Sequence, residues 1–455
     1  MTQPVEPPIV PPPPPAGTSI DLSGAGGEVA PILERALEGR EVTVEEGARL
    51  FEASGGELLP LIAVADRLRD EVVGGRVTYV VNRNINFTNV CVKHCGFCAF
   101  SRGHTASEGY FLPQEEVVRR ALEAREMGAT EVCVQAGLPP GLDGMFYVDL
   151  VRSIKQAAPD LHIHACSPEE VLYGSQLAGL NIVDYLTALK EAGLGSLPGT
   201  SAEILVDEVR DVISPGRITT AQWIEVVSTA HRLGIPTTST IMYGHLETAR
   251  HKALHLDVLR TVQKNSVQKD SAQKDSAQKD SGRITEFVPL GFIFDEAPMF
   301  AKKRLPGLRQ GPSGIETMKM YAISRIMLHG HIPNIQVSWV KEGPKLAQVG
   351  LMAGANDLGG TLINESISTS AGSKHGQLMT PAAFRAMARE MGRVPAERAT
   401  DYRILRTFDD PANDPVDPLE RVEDQGIFGS YGDLIAEERF RFRDFYQGGE
   451  QRRDI

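Results

Sequence analysis

Cysteine, aromatic residues and basic charge are all scarce in this 455-residue sequence. The five cysteines are an odd number in a long chain, which argues against a scaffold held by disulfides. The formal net charge is −12, and no basic stripe of the kind that binds nucleic acid stands out. No apolar run approaches the ~20 residues that span a bilayer, and the N-terminus lacks the pattern of a secretory signal. We therefore expect a cytoplasmic protein with neither nucleic-acid nor membrane partners.

Three of the five cysteines lie within eight residues, at Cys91, Cys95 and Cys98, with the spacing C-x3-C-x2-C. Thiolates this close together on a short loop can each bind one iron of a [4Fe–4S] cluster. The other two cysteines, Cys133 and Cys166, are isolated, so no fourth thiolate is near in sequence. One iron would then keep an open position for a reactant, as a catalytic zinc ion does. The spacing predicts a metal site with Cys91, Cys95 and Cys98 as ligands.

A structural zinc site is the main alternative, because His94 and His104 could complete a set of four ligands. Structural zinc loops usually pair two C-x2-C knuckles across a longer gap, which this stretch does not do. A chance grouping that binds no metal is the remaining alternative. We favour the iron–sulfur interpretation because its short gaps match the distances between neighbouring irons.

Several segments differ in composition from the rest of the chain. Residues 1–27 are rich in Pro and Gly and predict a disordered leader. Residues 28–78 have helical patterns and predict a helical N-terminal segment. Residues 263–282 repeat a five-residue unit, Gln-Lys-Asp-Ser-Ala, which has no apolar face to bury and predicts a disordered, solvated insertion. Residues 398–455 carry many charges and turn-forming residues and predict a charged tail.

Between residues 79 and 397, strand and helix patterns alternate about eight times. The predicted strands are 85–88, 131–135, 161–165, 195–198, 236–242, 285–289, 334–339 and 357–362. Such alternation is typical of an α/β protein with parallel strands and right-handed crossovers. We predict a (β/α)8 TIM-type barrel rather than a doubly wound open sheet, because polar and Gly-rich clusters follow successive strands. In such barrels the working residues gather at the carboxyl ends of the strands.

Residues 79–397 resemble one branch of the radical S-adenosylmethionine (SAM) superfamily. The C-x3-C-x2-C spacing is the signature of that superfamily, and the stretch from Asn84 to Arg102 is similar to the FO synthases and to menaquinone-pathway enzymes. Further stretches are similar to the FO synthase subunit 2 family, the 5-amino-6-(D-ribitylamino)uracil–L-tyrosine 4-hydroxyphenyl transferases: Gln135–Pro140, Leu161–His164, Pro198–Glu203, Pro236–Thr240, Arg283–Phe287 and Asn356–Thr361. The leader, the repeat and the tail depart from the family.

The resemblance implies two cofactors, a [4Fe–4S] cluster and SAM, and an electron donor that reduces the cluster. It implies that SAM cleavage yields methionine and a 5′-deoxyadenosyl radical that takes a hydrogen atom from L-tyrosine. The 4-hydroxybenzyl group would then pass to 5-amino-6-(D-ribitylamino)uracil in coenzyme F420 biosynthesis, with release of 2-iminoacetate. Because the chain holds a single C-x3-C-x2-C motif, we expect a separate FO synthase subunit 1 as pathway partner. A futalosine-type radical SAM enzyme of menaquinone biosynthesis is the alternative, and a zinc-stabilised binding barrel is a third hypothesis.

The same resemblance implies roles for residues outside the cysteine motif. Gln135 and Gly137 follow the second predicted strand, where the superfamily passes backbone along the methionine part of SAM, although glycines there also make ordinary turns. Glu203 follows the fourth strand and could bind ribose hydroxyls, or it could cap a helix. His245 and Glu247 follow the fifth strand and are the candidate catalytic residues, able to bind substrate or exchange a proton with the tyrosine amine. A surface loop is the alternative for this pair.

Overall fold

The computed structural model describes residues 20–272, 282–301 and 305–443 of the chain. Most of the predicted leader and about half of the predicted repeat lie outside these ranges. The described residues form an α/β structure with ten strands: β1 (Arg76–Val80), β2 (Asn82–Ile85), β3 (Glu131–Val134), β4 (His162–Ala165), β5 (Thr237–Tyr243), β6 (Ile284–Gly291), β7 (Asn334–Ile335), β8 (Asp357–Gly360), β9 (Val394–Arg398) and β10 (Ile404–Thr407).

Helices precede, separate and follow these strands. In chain order they are α1 (Gly26–Leu37), α2 (Val44–Phe51), α3 (Leu58–Val73), α4 (Gln114–Glu126), α5 (Phe146–Ala157), α6 (Pro168–Ala178), α7 (Ile182–Ala192), α8 (Asp207–Ile213), α9 (Thr220–Arg232), α10 (Ala249–Ala272), α11 (Pro298–Ala301), α12 (Gly314–Leu328), α13 (Trp339–Met352), α14 (Ile367–Ser370), α15 (Pro381–Glu390) and α16 (Tyr431–Ala436). Several begin at a capping box; Ser167, for example, accepts a hydrogen bond from the Glu170 backbone while the Glu170 carboxylate accepts one from the Ser167 backbone. Within the described ranges, every helix is too short or too polar to cross a bilayer.

The strands pair in three groups, ordered β10-β9-β1-β8, β2-β3-β4 and β5-β6-β7. Every pairing is parallel except that of β9 with β10. Single parallel bridges connect the groups: His164 with Ser196, Leu197 with Thr237, Gln336 with Asp357, and Arg83 with Ile363. The predicted fourth strand, 195–198, is present only as two of these bridges. The carboxyl ends of the parallel strands therefore lie toward one side of the structure, and the loops that follow them can share one site.

The core lies between the strands and the surrounding helices. All seven residues of β5 are buried, as expected for a parallel strand covered on both faces. Trp223 and Trp339 are among the largest fully buried side chains. The N-terminal helices α2 and α3 pack against α10 and α12, and the Lys319 ammonium of α12 donates to the Phe51 carbonyl at the end of α2, at 2.6 Å.

The prediction that disorder begins at residue 263 is wrong for residues 263–272, which are helical, although Asn265 and Val267 are exposed. Helix α10 continues to Ala272, and Gln263 is buried. Its side-chain amide accepts from the Ile284 backbone N–H at 2.8 Å and donates to the Ile284 carbonyl at 3.2 Å. The first copy of the repeat thus has a buried polar contact with β6, which its composition concealed. The predicted disorder of the leader is also wrong at its end, because residues 23–25 form a 3-10 turn and α1 begins at Gly26.

The prediction that residues 398–455 form a charged tail outside the core is wrong for the described part, which ends at residue 443. Strand β10 pairs with β9, and the Arg398 guanidinium lies 2.6 Å from the Asp357 carboxylate and 4.0 Å from the centre of the Tyr402 ring. Farther on, Tyr431 and Phe440 are buried. The charges of this segment are paired, or alternate with aromatic residues that pack inward, so composition alone misjudged it.

Candidate active site

The three cysteines of the motif open onto one cavity of about 240 Å³. They belong to the cysteine loop, residues 89–102, which follows β2. The cavity is also lined by residues that follow β3, β4 and the bridge residues 196–197, and by residues of β5; they include Gln135, Gly137, Glu170, Glu203 and Met242. The structure therefore brings together the three predicted metal ligands and the three predicted cofactor-binding residues, although they are spread over more than 100 positions of the sequence.

Backbone hydrogen bonds hold the cysteine loop in place. Cys91 donates to the Arg102 carbonyl at 3.0 Å, and Arg102 donates to the Asn89 carbonyl at 2.7 Å, so the loop closes on itself. Val92 donates to the Leu138 carbonyl at 2.8 Å, which ties the loop to the segment after β3. The Asn89 side chain accepts from the Tyr110 backbone at 3.0 Å. The Asn89 side chain therefore helps to hold the loop in place.

The backbone at Gly137 passes very close to the cysteine loop. Its N–H donates to the Thr88 carbonyl at 2.9 Å, and a Cβ at this position would lie 2.2 Å from the Val90 carbonyl oxygen. Glycine is therefore required by the close approach of two chain segments. The neighbouring Gln135 carbonyl accepts from the Asn86 side chain at 2.8 Å, and the Gln135 side chain accepts from the Thr200 hydroxyl at 2.9 Å. These contacts align the segment after β3 with the mouth of the cavity.

A buried ionic network lies beside the cysteines. The Arg217 guanidinium lies 3.2 Å from the Glu169 carboxylate and 2.9 Å from the Glu203 carboxylate, and it is 5.9 Å from the centre of the Phe97 ring. Glu169 also lies 3.2 Å from the Lys93 ammonium of the cysteine loop. Burial opposes the charge of Arg217, but the Cys95 thiolate, Glu203 and Glu169 outweigh it and raise the Arg217 pKa. The arginine is therefore a fixed positive charge next to the thiols.

Burial governs the acidity of the cysteines themselves. It raises the pKa of the Cys95 thiol to about 12 and raises the pKa of Cys91 as well, so metal binding must displace their protons. Among the described residues, no three His, Cys, Asp or Glu side chains converge as ligands of a single metal ion. A [4Fe–4S] cluster offers a separate iron to each thiolate, so its ligands need not converge on one point. The three soft donors on one cavity wall, with no fourth cysteine lining it, fit a cluster with one open iron.

Strained backbone is concentrated where strands end. Cys166, Ser201, Glu203, Leu362 and Asn364 all have positive φ although none is a glycine. They follow β4, the bridge residues 196–197 and β8. Conformations of this kind cost about 1–3 kcal/mol each and tend to cluster at ligand sites. At Glu203 the strain accompanies a backbone hydrogen bond, in which Met242 donates to the Glu203 carbonyl at 2.6 Å, and the carboxylate faces the cavity.

The structure places the predicted catalytic pair, His245 and Glu247, outside the cavity lining. Both are buried, and the His245 ring bonds the Met242 carbonyl at 2.9 Å. The Glu247 carboxylate accepts from the Gly244 and His245 backbone at 2.7 and 2.9 Å and pairs with Arg309. Glu247 thus uses its oxygens to close the turn after β5. The geometry does not support direct contact of either residue with substrate.

Other residues of the cavity wall were missed. Arg217, Lys341 and Glu169 all line it. Arg217 and Lys341 have no motif around them, whereas Glu169 lies in the capping box at the start of α6. Glu170 lines the cavity as well. Its carboxylate does cap α6, but it also accepts from the Ala136 backbone at 3.1 Å, and burial raises its pKa to about 7. The capping pattern is a local signal for the segment of Glu169 and Glu170, whereas the placement of Arg217 and Lys341 depends on tertiary structure alone.

Comparisons with known proteins agree with this arrangement. A family model of the radical SAM superfamily matches residues 85–258, and one of the CofH/MqnC C-terminal region matches residues 281–410. The 5-amino-6-(D-ribitylamino)uracil–L-tyrosine 4-hydroxyphenyl transferase of Methanothermobacter thermautotrophicus is 48% identical over 375 residues, which cover 82% of this chain and 97% of that protein. The protein of the same name from Methanocaldococcus jannaschii is 45% identical, with 80% and 98% covered. The FO synthase of Mycobacterium tuberculosis is 46% identical over 82% of this chain but only 41% of its own length.

Solved structures support the fold. Methylornithine synthase (PylB) superimposes with a TM-score of 0.61 at 19% identity, covering 80% of this chain and 97% of that one. The [FeFe]-hydrogenase maturase HydG gives a TM-score of 0.62 at 16% identity, covering 94% and 95%. The structural likeness shows a shared fold. The sequence identity is more specific and confirms the resemblance: the chain belongs to the family of 5-amino-6-(D-ribitylamino)uracil–L-tyrosine 4-hydroxyphenyl transferases within the radical SAM superfamily.

Proposed function

We propose that this chain transfers the 4-hydroxybenzyl group of L-tyrosine to 5-amino-6-(D-ribitylamino)uracil, the activity for which its relatives are named. The observation that carries the proposal is 48% identity over 97% of the Methanothermobacter thermautotrophicus enzyme. The cavity supports it, because three free thiols lie on the wall of a partly enclosed space. A reaction that releases a reactive fragment needs such a space, which keeps water and other partners away.

The cofactors of the superfamily are a [4Fe–4S] cluster and SAM. Cys91, Cys95 and Cys98 would hold three irons of the cluster and leave the fourth free for SAM. When bound, these groups supply a one-electron route to a radical able to remove a hydrogen atom from tyrosine. The protein's own part is to bind, orient and enclose the reactants.

Within that cavity, Gln135, Gly137 and Glu203 are the proposed contacts for SAM. Gly137 lets backbone approach the cysteine loop closely, so the segment after β3 can line the methionine part of SAM. Glu203 faces the cavity and is oriented by Arg217 at 2.9 Å, so its free carboxylate oxygen can accept from ribose hydroxyls. His245 and Glu247 are left with a positioning role, since they close the turn after β5 next to Met242.

We further infer that the parallel strands close into a (β/α)8 barrel. The three strand groups are joined by the four single bridges, which lead from β4 through residues 196–197 to β5, from β7 to β8, and from β8 back to β2. Closure would place every loop that follows a strand at one mouth. That arrangement would account for a cavity shared by residues as distant as Cys91 and Lys341.

The proposal includes partners and a compartment. A reductant must supply electrons to the cluster, and a separate FO synthase subunit 1 would cyclise the coupled product. The single C-x3-C-x2-C motif supports this division, as does the greater length of the Mycobacterium tuberculosis FO synthase, of which the chain covers 41%. All five cysteines are free, which suits the reducing cytoplasm.

The direct test is anaerobic reconstitution with iron and sulfide, reduction, and incubation with SAM, L-tyrosine and the ribitylaminouracil. We expect the mass of the coupled adduct and 5′-deoxyadenosine whose formation depends on tyrosine. Stoichiometric zinc without iron or labile sulfide would contradict the cluster assignment. Turnover of a futalosine-type substrate, with SAM cleavage independent of tyrosine, would instead favour the menaquinone-pathway activity.

The cluster ligands have a separate test. Cys91→Ala, Cys95→Ala and Cys98→Ala should each lose iron and the absorption near ~400 nm of an iron–sulfur centre, together with all adduct formation. Cys166→Ala is the matched control, because Cys166 is a buried free cysteine that does not line the cavity. It should retain the iron content and turnover of the parent chain. Retention of a full cluster by any of the three motif variants would exclude that cysteine as a ligand.

A further inference from the structure

Three cationic side chains of the described residues line the cavity, and two of them are already engaged. The Lys93 ammonium donates to the Gly216 carbonyl at 2.6 Å and lies 3.2 Å from Glu169. Arg217 pairs with Glu169 and Glu203. Lys341 is different, because within the described ranges its ammonium makes neither a hydrogen bond nor an ion pair. A cation without a partner at a ligand cavity is a candidate binding group.

The position of Lys341 is well defined. It lies in the first turn of α13, just after β7, and it shares the cavity with Cys98 and Glu203. Burial lowers its pKa, while the more distant carboxylates of Glu365, Glu203 and Glu342 favour its charged form. These acids have partners of their own: Glu365 accepts from the Ser368 backbone at 2.9 Å, and Glu342 accepts from the Tyr243 hydroxyl at 3.0 Å. None of these three acids forms a hydrogen bond with the Lys341 ammonium, so the ammonium can donate to a ligand.

The charges of the proposed reactants indicate which of them Lys341 would bind. This step rests on the proposed function. The ribitylaminouracil presents hydroxyl, amine and carbonyl groups but no permanent anion, and the carboxylate of SAM is expected to bind the open iron. The remaining anion is the carboxylate of L-tyrosine. A lysine ammonium and a carboxylate form a charge-assisted hydrogen bond, which is strongest in a half-buried site such as this one.

We propose that Lys341 binds the carboxylate of L-tyrosine and so determines which end of the amino acid faces α13. The phenol ring would then contact the apolar part of the wall formed by Met242, Leu290 and Phe292. The same contact would select amino acids over their decarboxylated or amidated analogues, because a neutral analogue leaves the ammonium unpaired. Lys341 is thus a specificity-determining residue for the proposed reaction.

The test compares Lys341→Gln with Lys345→Gln, a matched control on the same helix. Lys345 is exposed and does not line the cavity. The KM for tyrosine should rise about 10- to 100-fold in Lys341→Gln, the range of a lost hydrogen bond to a charged group, and remain unchanged in Lys345→Gln. The KM for the ribitylaminouracil and the iron content should stay near their parent values in both variants. Lys341→Arg should recover part of the affinity, because it keeps the charge.

A second measurement removes the carboxylate instead of the lysine. The parent enzyme should prefer L-tyrosine to L-tyrosinamide, and Lys341→Gln should lose most of that preference. Equilibrium dialysis of labelled tyrosine against reconstituted enzyme gives the same comparison without turnover. An unchanged KM and an unchanged preference in Lys341→Gln would overturn the inference. If the parent chain forms no adduct but dialysis shows Lys341-dependent tyrosine binding, the proposed function fails while this inference stands.

Discussion

Gly137 lies where the segment after β3 crosses the cysteine loop, and its side chain is a single hydrogen atom. Gly137→Ala would place a methyl group 2.2 Å from the Val90 carbonyl oxygen, so one of the two segments must move. We expect a loss of about 1–3 kcal/mol of stability, which is typical of overpacking, together with reduced iron content and slower SAM cleavage. Iron analysis and a thermal melt measure both effects.

The control for this substitution is Gly103→Ala, just beyond the same loop. A Cβ at Gly103 meets no atom within 4 Å, and its φ is not in the left-handed region. That variant should keep the iron content of the parent chain. If both alanine variants lose iron to the same extent, the close approach at Gly137 is not the cause.

At the scale of elements, the C-terminal strap, residues 425–443, crosses the far side of the cysteine loop. Phe111 donates to the Phe440 carbonyl at 2.7 Å, and Phe442 donates to the Gly109 carbonyl at 2.9 Å. The Tyr431 ring lies 5.5 Å from that of Phe100, and its hydroxyl accepts from the Asn89 side chain at 3.3 Å. The strap therefore covers the loop that carries the thiols and limits the access of solvent from that side.

We expect Tyr431→Ala to make the reconstituted cluster more sensitive to air. The substitution removes a buried ring, at a cost of about 3–5 kcal/mol for large aromatic residues, and frees the strap from Asn89. The decay of absorption near ~400 nm after exposure to air should be several-fold faster than in the parent chain. Ile427→Ala, at a position that is 60% exposed in the same segment, should decay at the parent rate. Equal decay in all three proteins would show that the strap does not protect the site.

At the scale of the whole molecule, buried histidines make stability depend on pH. Burial lowers the pKa of His231 to about 3, and its ring bonds Ser266 and Thr237 at 2.7 and 3.0 Å. The unfolded chain takes up this proton below about pH 6.5, whereas the folded chain does not. The contribution of His231 is therefore complete above pH 6.5 and is lost as the pH falls toward 3.

The corresponding prediction concerns His231→Gln. The variant should be less stable than the parent at pH 7.5, because it fits the two hydroxyl partners less well. The difference in stability should shrink by about 1.4 kcal/mol per pH unit below pH 6.5. Only the parent contains the imidazole that must stay neutral when the chain folds. Melting temperatures of both proteins at pH 7.5, 6 and 5 measure the trend. A constant difference across this range would mean that His231 has the same pKa in the folded chain as in the unfolded chain.

Features that depend on local spacing could be predicted from the sequence. The three cysteines are neighbours in the chain, so their shared loop needed no knowledge of the fold, and the alternation of strands and helices indicated where that loop would lie. Arg217 and Lys341 could not be found in this way, because their importance comes from the cavity that distant segments form around them. His245 and Glu247 lie outside the cavity lining, and polarity after a strand does not reveal whether a side chain faces the cavity or closes its own turn. The predictions for the repeat and the tail rested on average composition, which does not reveal single buried residues such as Gln263 and Phe440.

The strap also has a consequence for how the protein is made. Phe111 and its partner Phe440 are separated by about 330 residues, so the ribosome needs roughly 15–65 s between them at 5–20 residues per second. During that interval the nascent chain presents its thiols before their cover exists. Iron and sulfide can therefore reach the cysteine loop from both sides before synthesis ends, whereas in the completed chain they approach the thiols from the cavity side.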